Sequence, residues 1–157
     1  MRNCIHILFV LTFLFSNDVT LDKYNQAKVY REAGDYDKCL SVLFDLEKSH
    51  INYNYDIADI YLNDFSNHRI ALEHFNKVLK NTNINIDTDS DTKNIYKKSL
   101  FMSSYIQSNY LGMYTDGYDG YKLFLSLFPN DELIESVKYE LNLLEEKELL
   151  KNKLLNK

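Results

Sequence analysis

The chain has 157 residues, one proline, four glycines and a formal net charge of −5. That length can bury one sizeable core, and the scarcity of proline and glycine leaves few residues for the turns of a β-rich fold, so an all-α architecture is the expectation. The acidic balance, with Arg2, Arg31 and Arg69 the sole arginines, argues against a nucleic-acid face, which needs clustered cations to displace counterions; two cysteines cannot build a disulfide framework.

In chain order, residues 1–16 (MRNCIHILFVLTFLFS) carry Arg2 and then an eleven-residue apolar run from Ile5 to Phe15. A bilayer-spanning helix needs about 20 apolar residues. The run therefore has the dimensions of a signal-peptide core, with cleavage expected after Ser16; a short uncleaved N-terminal anchor is the alternative. Loss of Cys4 with such a leader leaves Cys39 as a lone thiol, expected to be buried as a small hydrophobe.

From Leu21 to Leu46 the sequence predicts two helices around Gly34-Asp35-Tyr36. Tyr24, Ala27 and Tyr30 share one face of the first. Gly34 ends it, because glycine takes positive φ without a Cβ penalty. Asp35 caps the second helix through its carboxylate, and Cys39, Leu43 and Leu46 form the second helix's inner face. The pattern returns: Tyr55, Ala58 and Tyr61 lie 31 residues on, and Ala71, Phe75 and Val78 lie 32 residues beyond Cys39, Leu43 and Leu46. Phe65-Ser66-Asn67 replaces the glycine turn there, with Ser66 or Asn67 as the cap.

Residues 81–91 (NTNINIDTDSD) predict a polar linker. Asp87, Asp89 and Asp91 alternate as at the start of a calcium loop, but Thr92 and Lys98 stand where such a loop requires glycine and glutamate. A solvated linker with a cap at Asp91 or Thr92 is expected instead. Thr92–Met113 predicts a longer helix. A third copy of the pattern is then placed at Tyr105, Ser108 and Leu111, followed by a turn at Thr115-Asp116-Gly117-Tyr118. A helix Tyr118–Phe128 follows, with Gly120, Phe124 and Leu127 inward. Pro129 stops that helix, and Asn130 or Asp131 caps a last helix reaching Leu155. Its early acids (Asp131, Glu132, Glu135) and late bases (Lys151, Lys153, Lys157) suit the helix dipole.

A period in the low thirties built of two helices is a solenoid signature. The segment YNQAKVYREAGDYDKCLSVL, with its echoes, resembles the tetratricopeptide repeat over residues 21–145, most closely in the first two units. Cys39 stands where that family usually has alanine. More narrowly, LDKYNQAKVYREAGDYDKCLSVLFDLE together with GYKLFLSLFPNDELIESVKYELNLL is similar to the tetratricopeptide-type subunit of the β-barrel assembly machinery. It is similar also to the periplasmic cell-division coordinator associated with Tol–Pal. The phrases that carry this are Phe124-Leu125, Phe128-Pro129 and Tyr139-Glu140-Leu141. Cys4 precedes the apolar run rather than following it, so the assembly subunit's lipid attachment does not carry over.

The resemblance implies a solenoid of about three helical hairpins over residues 21–155 with a C-terminal capping helix. It implies a concave groove on the first helix of each hairpin. The implied groove residues are Tyr24, Lys28 and Arg31 in unit one, Tyr55, Asp59 and Leu62 in unit two, and Tyr105 and Asn109 in unit three. Tyrosines there offer rigid contact area with a hydrogen-bonding tip; their alternative role is packing between helices. Ala27, Tyr30, Gly34, Tyr36, Cys39, Ala58, Tyr61, Ala71, Phe75, Gly120 and Phe124 are expected to hold the repeats together. The Lys and Asn clamp of chaperone-type repeats is absent; Lys28 with Arg31 is expected to be a solvated basic pair, with attraction of an acidic segment as the alternative. His50, His68 and His74 form no metal-ligand spacing with any Cys, Asp or Glu pair and are expected on helix surfaces. No nucleophile elbow or phosphate loop occurs, so no enzyme, metal or cofactor is expected.

The function expected is protein–protein interaction by an exported adaptor of the bacterial cell envelope. It is placed in the periplasm or at the periplasmic face of the outer membrane, in a membrane-associated complex, as an accessory of outer-membrane protein assembly. Alternatives are a periplasmic coordinator that self-associates through its leucine-rich last helix, and a membrane-tethered structural protein.

Overall fold

The computed structural model describes residues 19–47, 50, 52–85 and 87–155. Among them all regular structure is helical: α1 (residues 19–32), α2 (Tyr36–Leu46), α3 (Tyr53–Asn63), α4 (His68–Asn81), α5 (Ser90–Asn109), α6 (Tyr114–Leu127) and α7 (Ile134–Leu155). No strand occurs among the described residues, so the all-α expectation holds. The expected leader, residues 1–16, lies outside them. The chain divides into two compact units, Met1–Tyr53 and Asn54–Lys157.

In the first unit, α1 and α2 form an antiparallel hairpin. Lys23 Nζ bonds Asp45 Oδ2 at 2.9 Å across it. Ala27, Cys39, Leu43 and Leu46 are buried, as the helical spacing requires. Asp35 caps α2 by accepting from the Lys38 amide, and Asp37 in the first turn complements the helix dipole.

In the second unit, contacts run between successive helices: α4 packs on α5, α5 on α6, and α6 and α5 on α7. One apolar cluster joins Ala58, Ala71, Leu72, Phe75 and Ile106, with Tyr55, Tyr61, Leu62, Met102 and Leu111 against it. The other joins Leu100, Tyr121, Phe124, Val137, Leu141 and Leu144. Outside the clusters, Lys97 Nζ bonds Asp131 Oδ2 at 2.7 Å with both side chains largely shielded. Burial raises the Asp131 pKa, but the Lys97 hydrogen bond, the Leu133 amide and the Lys97 charge outweigh it and hold the carboxyl below its ordinary value.

The three hairpin turns share one construction. Each holds one residue with left-handed backbone, Gly34 (φ 74), Ser66 (φ 52) and Gly112 (φ 67). The residue after it is the N-cap of the second helix, and its amide bonds back to the first helix: Asp35 to the Tyr30 carbonyl at 2.8 Å, Asn67 to Tyr61 at 2.7 Å, Met113 to Gln107 at 2.8 Å. Such bonds satisfy carbonyls that a helix end leaves open. Asn67 and Asp35 also cap with their side chains, whereas Met113 makes no side-chain cap.

This construction corrects the third copy of the pattern. Gln107 is the counterpart of Tyr30 and Tyr61, so Phe101, Ser104 and Gln107 match Tyr24, Ala27 and Tyr30; Tyr105, Ser108 and Leu111 lie four residues late. Gly117 falls five residues after the left-handed residue, as do Cys39 and Ala71. The inward set is Gly117, Tyr121 and Phe124, all buried, rather than Gly120, Phe124 and Leu127; Leu127 is 41% exposed. The segment Thr115-Asp116-Gly117-Tyr118 is the second to fifth residues of α6, not a turn, because the chain has already reversed at Gly112. Gly120 still lies against α5, where an added Cβ would collide with the Ser104 hydroxyl. Helix ends also shift: α5 runs Ser90–Asn109 rather than Thr92–Met113, capped by Asp89 accepting from the Thr92 amide at 2.8 Å. The last helix starts at Ile134, with Asp131 accepting from the Leu133 amide at 3.0 Å.

The α5–α6 contact is a close approach of backbones. A Cβ on Gly117 would come within 2.9 Å of the Ser104 carbonyl oxygen and of Ser108 Cβ. The serines on this face are buried yet bonded within their own helix: Ser103 and Ser104 donate to the Leu100 carbonyl and Ser108 to that of Ser104, so each small polar side chain is satisfied without a partner helix. Because a backbone oxygen cannot swing aside, Gly117→Ala is expected to lose about 1–3 kcal/mol in urea denaturation. Ser66→Gly, which relieves a left-handed serine, is expected to gain up to about 1 kcal/mol.

His74 departs from the surface position expected of it. It is 4% exposed, stacked on Tyr61, with Nδ1 2.7 Å from the Asn54 carboxamide oxygen, an arrangement in which the ring N–H donates. Burial lowers its pKa from 6.5 to about 4, helped by Lys77 and opposed by Glu73. The folded chain thus keeps a neutral ring while the unfolded chain takes a proton near the ordinary value. Stability is expected to fall by about 2 kcal/mol between pH 6.5 and 4 from this group and to level off below. His74→Asn, whose side-chain amide takes the Nδ1 position and keeps a donor for Asn54, is expected to flatten that part of the pH profile; an unchanged slope assigns the acid sensitivity elsewhere.

Candidate functional site

The groove residues expected from the sequence fall into both units. In the first unit, Tyr24 is half-buried with its ring 5.2 Å from that of Tyr53. The Lys28 ammonium sits 4.3 Å from the Tyr24 ring centre, a cation–π pair on an exposed residue. Arg31 is half-buried. Tyr30 accepts from Gln26 at 3.0 Å and carries Lys38 over its ring, and Tyr36, also half-buried, opens α2.

In the second unit, Tyr55, Asp59 and Leu62 lie one helical turn apart on α3. Tyr55 and Leu62 border the apolar cluster, and the Tyr55 ring is 5.7 Å from Phe75. Tyr55 is thus half a core residue, as the alternative role for the tyrosines has it. Asp59 accepts from Asn63 Nδ2 at 2.8 Å.

On α5 the corrected counterparts of Tyr24, Lys28 and Arg31 are Phe101, Tyr105 and Ser108. Tyr105 remains on the face assigned to it; Ser108 is buried. Asn109 is the last residue of α5, as Asn63 is of α3. Its Nδ2 donates to Glu140 Oε2 on α7 at 2.9 Å. Tyr105 stacks on Phe101 with ring centres 6.4 Å apart and meets Tyr110 edge-on at 5.8 Å. Burial raises the Tyr105 pKa, and Tyr110 and Glu140 push the same way. Behind them the Tyr121 phenol is fully buried and held well above its ordinary value by burial, with Glu140 adding to this and Ser108 opposing it. Tyr110, 51% exposed, stacks at 3.8 Å on His68 and so joins the two hairpin turns of the unit.

The structure therefore gathers Tyr105 and Asn109 with three residues that the sequence did not assign to the groove, Phe101, Tyr110 and Glu140. Phe101 follows once the turn is placed at Gly112. Glu140 carries no local signal, since it lies 31 residues from Asn109 and only α5–α7 packing brings it there. Among the described residues the cluster thus consists of three aromatics in ring contact, on and after the end of α5, and a carboxamide–carboxylate pair that ties α5 to α7.

Among the described residues no three or more His, Cys, Asp or Glu side chains are grouped to hold a metal ion, and no helix is long and apolar enough to cross a membrane. Comparison with protein-family models, curated proteins and solved structures finds no match.

Proposed function

We propose that the chain is a tetratricopeptide-type adaptor whose first-helix faces bind a segment of a partner protein. The observation that carries the reading is the shared hairpin: one left-handed residue, an N-cap bonded back to the first helix, and a small buried residue five positions after the left-handed one, at Cys39, Ala71 and Gly117. Repetition of one hairpin, with each helix of the second unit packing on the next, is how solenoids are built, and solenoids bind along the faces that the repeats align. Tyrosine and asparagine at those positions suit recognition of an extended segment, as rigid ring area beside amide donors. The eleven-residue apolar run behind Arg2 supports export to the cell envelope as the setting, and the likeness of residues 21–47 and 120–144 to the assembly subunit supports an accessory role in outer-membrane protein assembly as the particular task.

Photo-crosslinking in intact cells tests the reading. With benzoyl-phenylalanine at Tyr55 or Tyr105, a discrete adduct to one envelope protein is expected. At the outward-facing Lys122 and Glu73 none is expected. Equal adducts at all four positions, or adducts at the outer pair alone, contradict it.

A further inference from the structure

We propose that the junction of α5 and α7 receives an arginine side chain of the bound segment, at Glu140 beside Tyr105 and Asn109. The inference rests on the binding role proposed for this face and adds the chemistry of what it takes. Glu140 is half-buried, and its hydrogen-bond partner there is the neutral carboxamide of Asn109 at 2.9 Å. Among the described residues it takes part in no ion pair. An amide orients a carboxylate without neutralising it, so the charge stays available to an incoming cation.

Among the described residues the surrounding chain does not supply one. No lysine or arginine occurs between Lys98 and Lys122, the stretch that forms the end of α5, the turn and the start of α6. On α7, Lys138 is bonded to Glu135 at 2.8 Å, and Lys147 lies over the Tyr114 ring at 5.4 Å. Lys97, at the other end of α5, is held by Asp131.

Tyr105 stands one helical turn before Asn109, and the Glu140 charge acts on its phenol. Tyr105 is fixed by Phe101 stacked on it at 12° between ring planes and by the edge-on Tyr110. A guanidinium is planar, so it can bond Glu140 through its fork while lying against a tyrosine face; a lysine ammonium can do only one of these well. The first unit already carries a cation–π pair of its own in Lys28 and Tyr24.

The test is an amide-resolved NMR titration of the full chain with N-acetyl-arginine methylamide, against its neutral isostere N-acetyl-citrulline methylamide. Shifts confined to Tyr105, Glu140 and the Asn109 side-chain amide are expected with arginine and none with citrulline. Glu140→Gln keeps an acceptor for Asn109 and is expected to weaken arginine binding about fivefold or more, the equivalent of a single charge-assisted bond. Tyr105→Leu keeps apolar packing and is expected to weaken it too, which preserves the test if Glu140→Gln disturbs the fold. Equal responses to arginine and citrulline, shifts mapping elsewhere, or unchanged affinity in a folded Glu140→Gln chain overturn the proposal. A partner crosslinked at Tyr55 and Tyr105 with no arginine response removes this subsite alone; an arginine response with no crosslinked partner removes the adaptor reading instead.

Discussion

The left-handed residue in each hairpin turn is the constraint from which the rest follows. A helix that must reverse within three or four residues needs one backbone position at positive φ, and for an L-residue that conformation costs about 1–2 kcal/mol unless it is glycine. Gly34 and Gly112 meet the requirement without strain and Ser66 bears it. Once the position is set, the next amide is directed at a carbonyl of the first helix, and the number of residues from the turn to each inward position of the second helix is the same in all three hairpins. Cys39, Ala71 and Gly117 then face the preceding helix, where only a small side chain fits.

How small decides how closely the helices approach. At α3–α4 alanine meets the apolar cluster from both sides, through Ala58 and Ala71. At α5–α6 glycine meets serine, and the approach is close enough that a methyl group on Gly117 would touch the Ser104 backbone. Serine can occupy such a contact because its hydroxyl bonds to its own helix. The tight seam lets α7 settle on both α5 and α6, and that is what carries Glu140 to Asn109. The candidate binding surface is thus a consequence of packing at residues that never touch it.

The legible part of the fold was the part whose turns announce themselves. Gly34-Asp35 and Ser66-Asn67 each combine a turn residue with a side-chain cap, and the hairpins they define were placed correctly from the sequence. The third turn lacks that signal because Met113 stands at the cap, and Gly117 and Gly120 compete with Gly112 as apparent breakers. The register was therefore set three residues late in α6 and four late in α5, although Tyr105 and Phe124 kept their faces. Pairings between distant residues were not legible at all: His74 is buried, and the partner that satisfies its ring is Asn54, twenty residues earlier. Glu140 belongs to the site for the same kind of reason.

The most direct measurement is the backbone assignment of residues 105–125 by NMR, with the contacts of the Gly117 α-protons. Helical Cα shifts from Tyr114 onward, a non-helical Gly112 and Met113, and close contacts from Gly117 to Ser104 and Ser108 are expected. A non-helical stretch through Thr115–Tyr118, with Gly117 remote from both serines, would contradict this and return the third hairpin to a turn centred on that stretch.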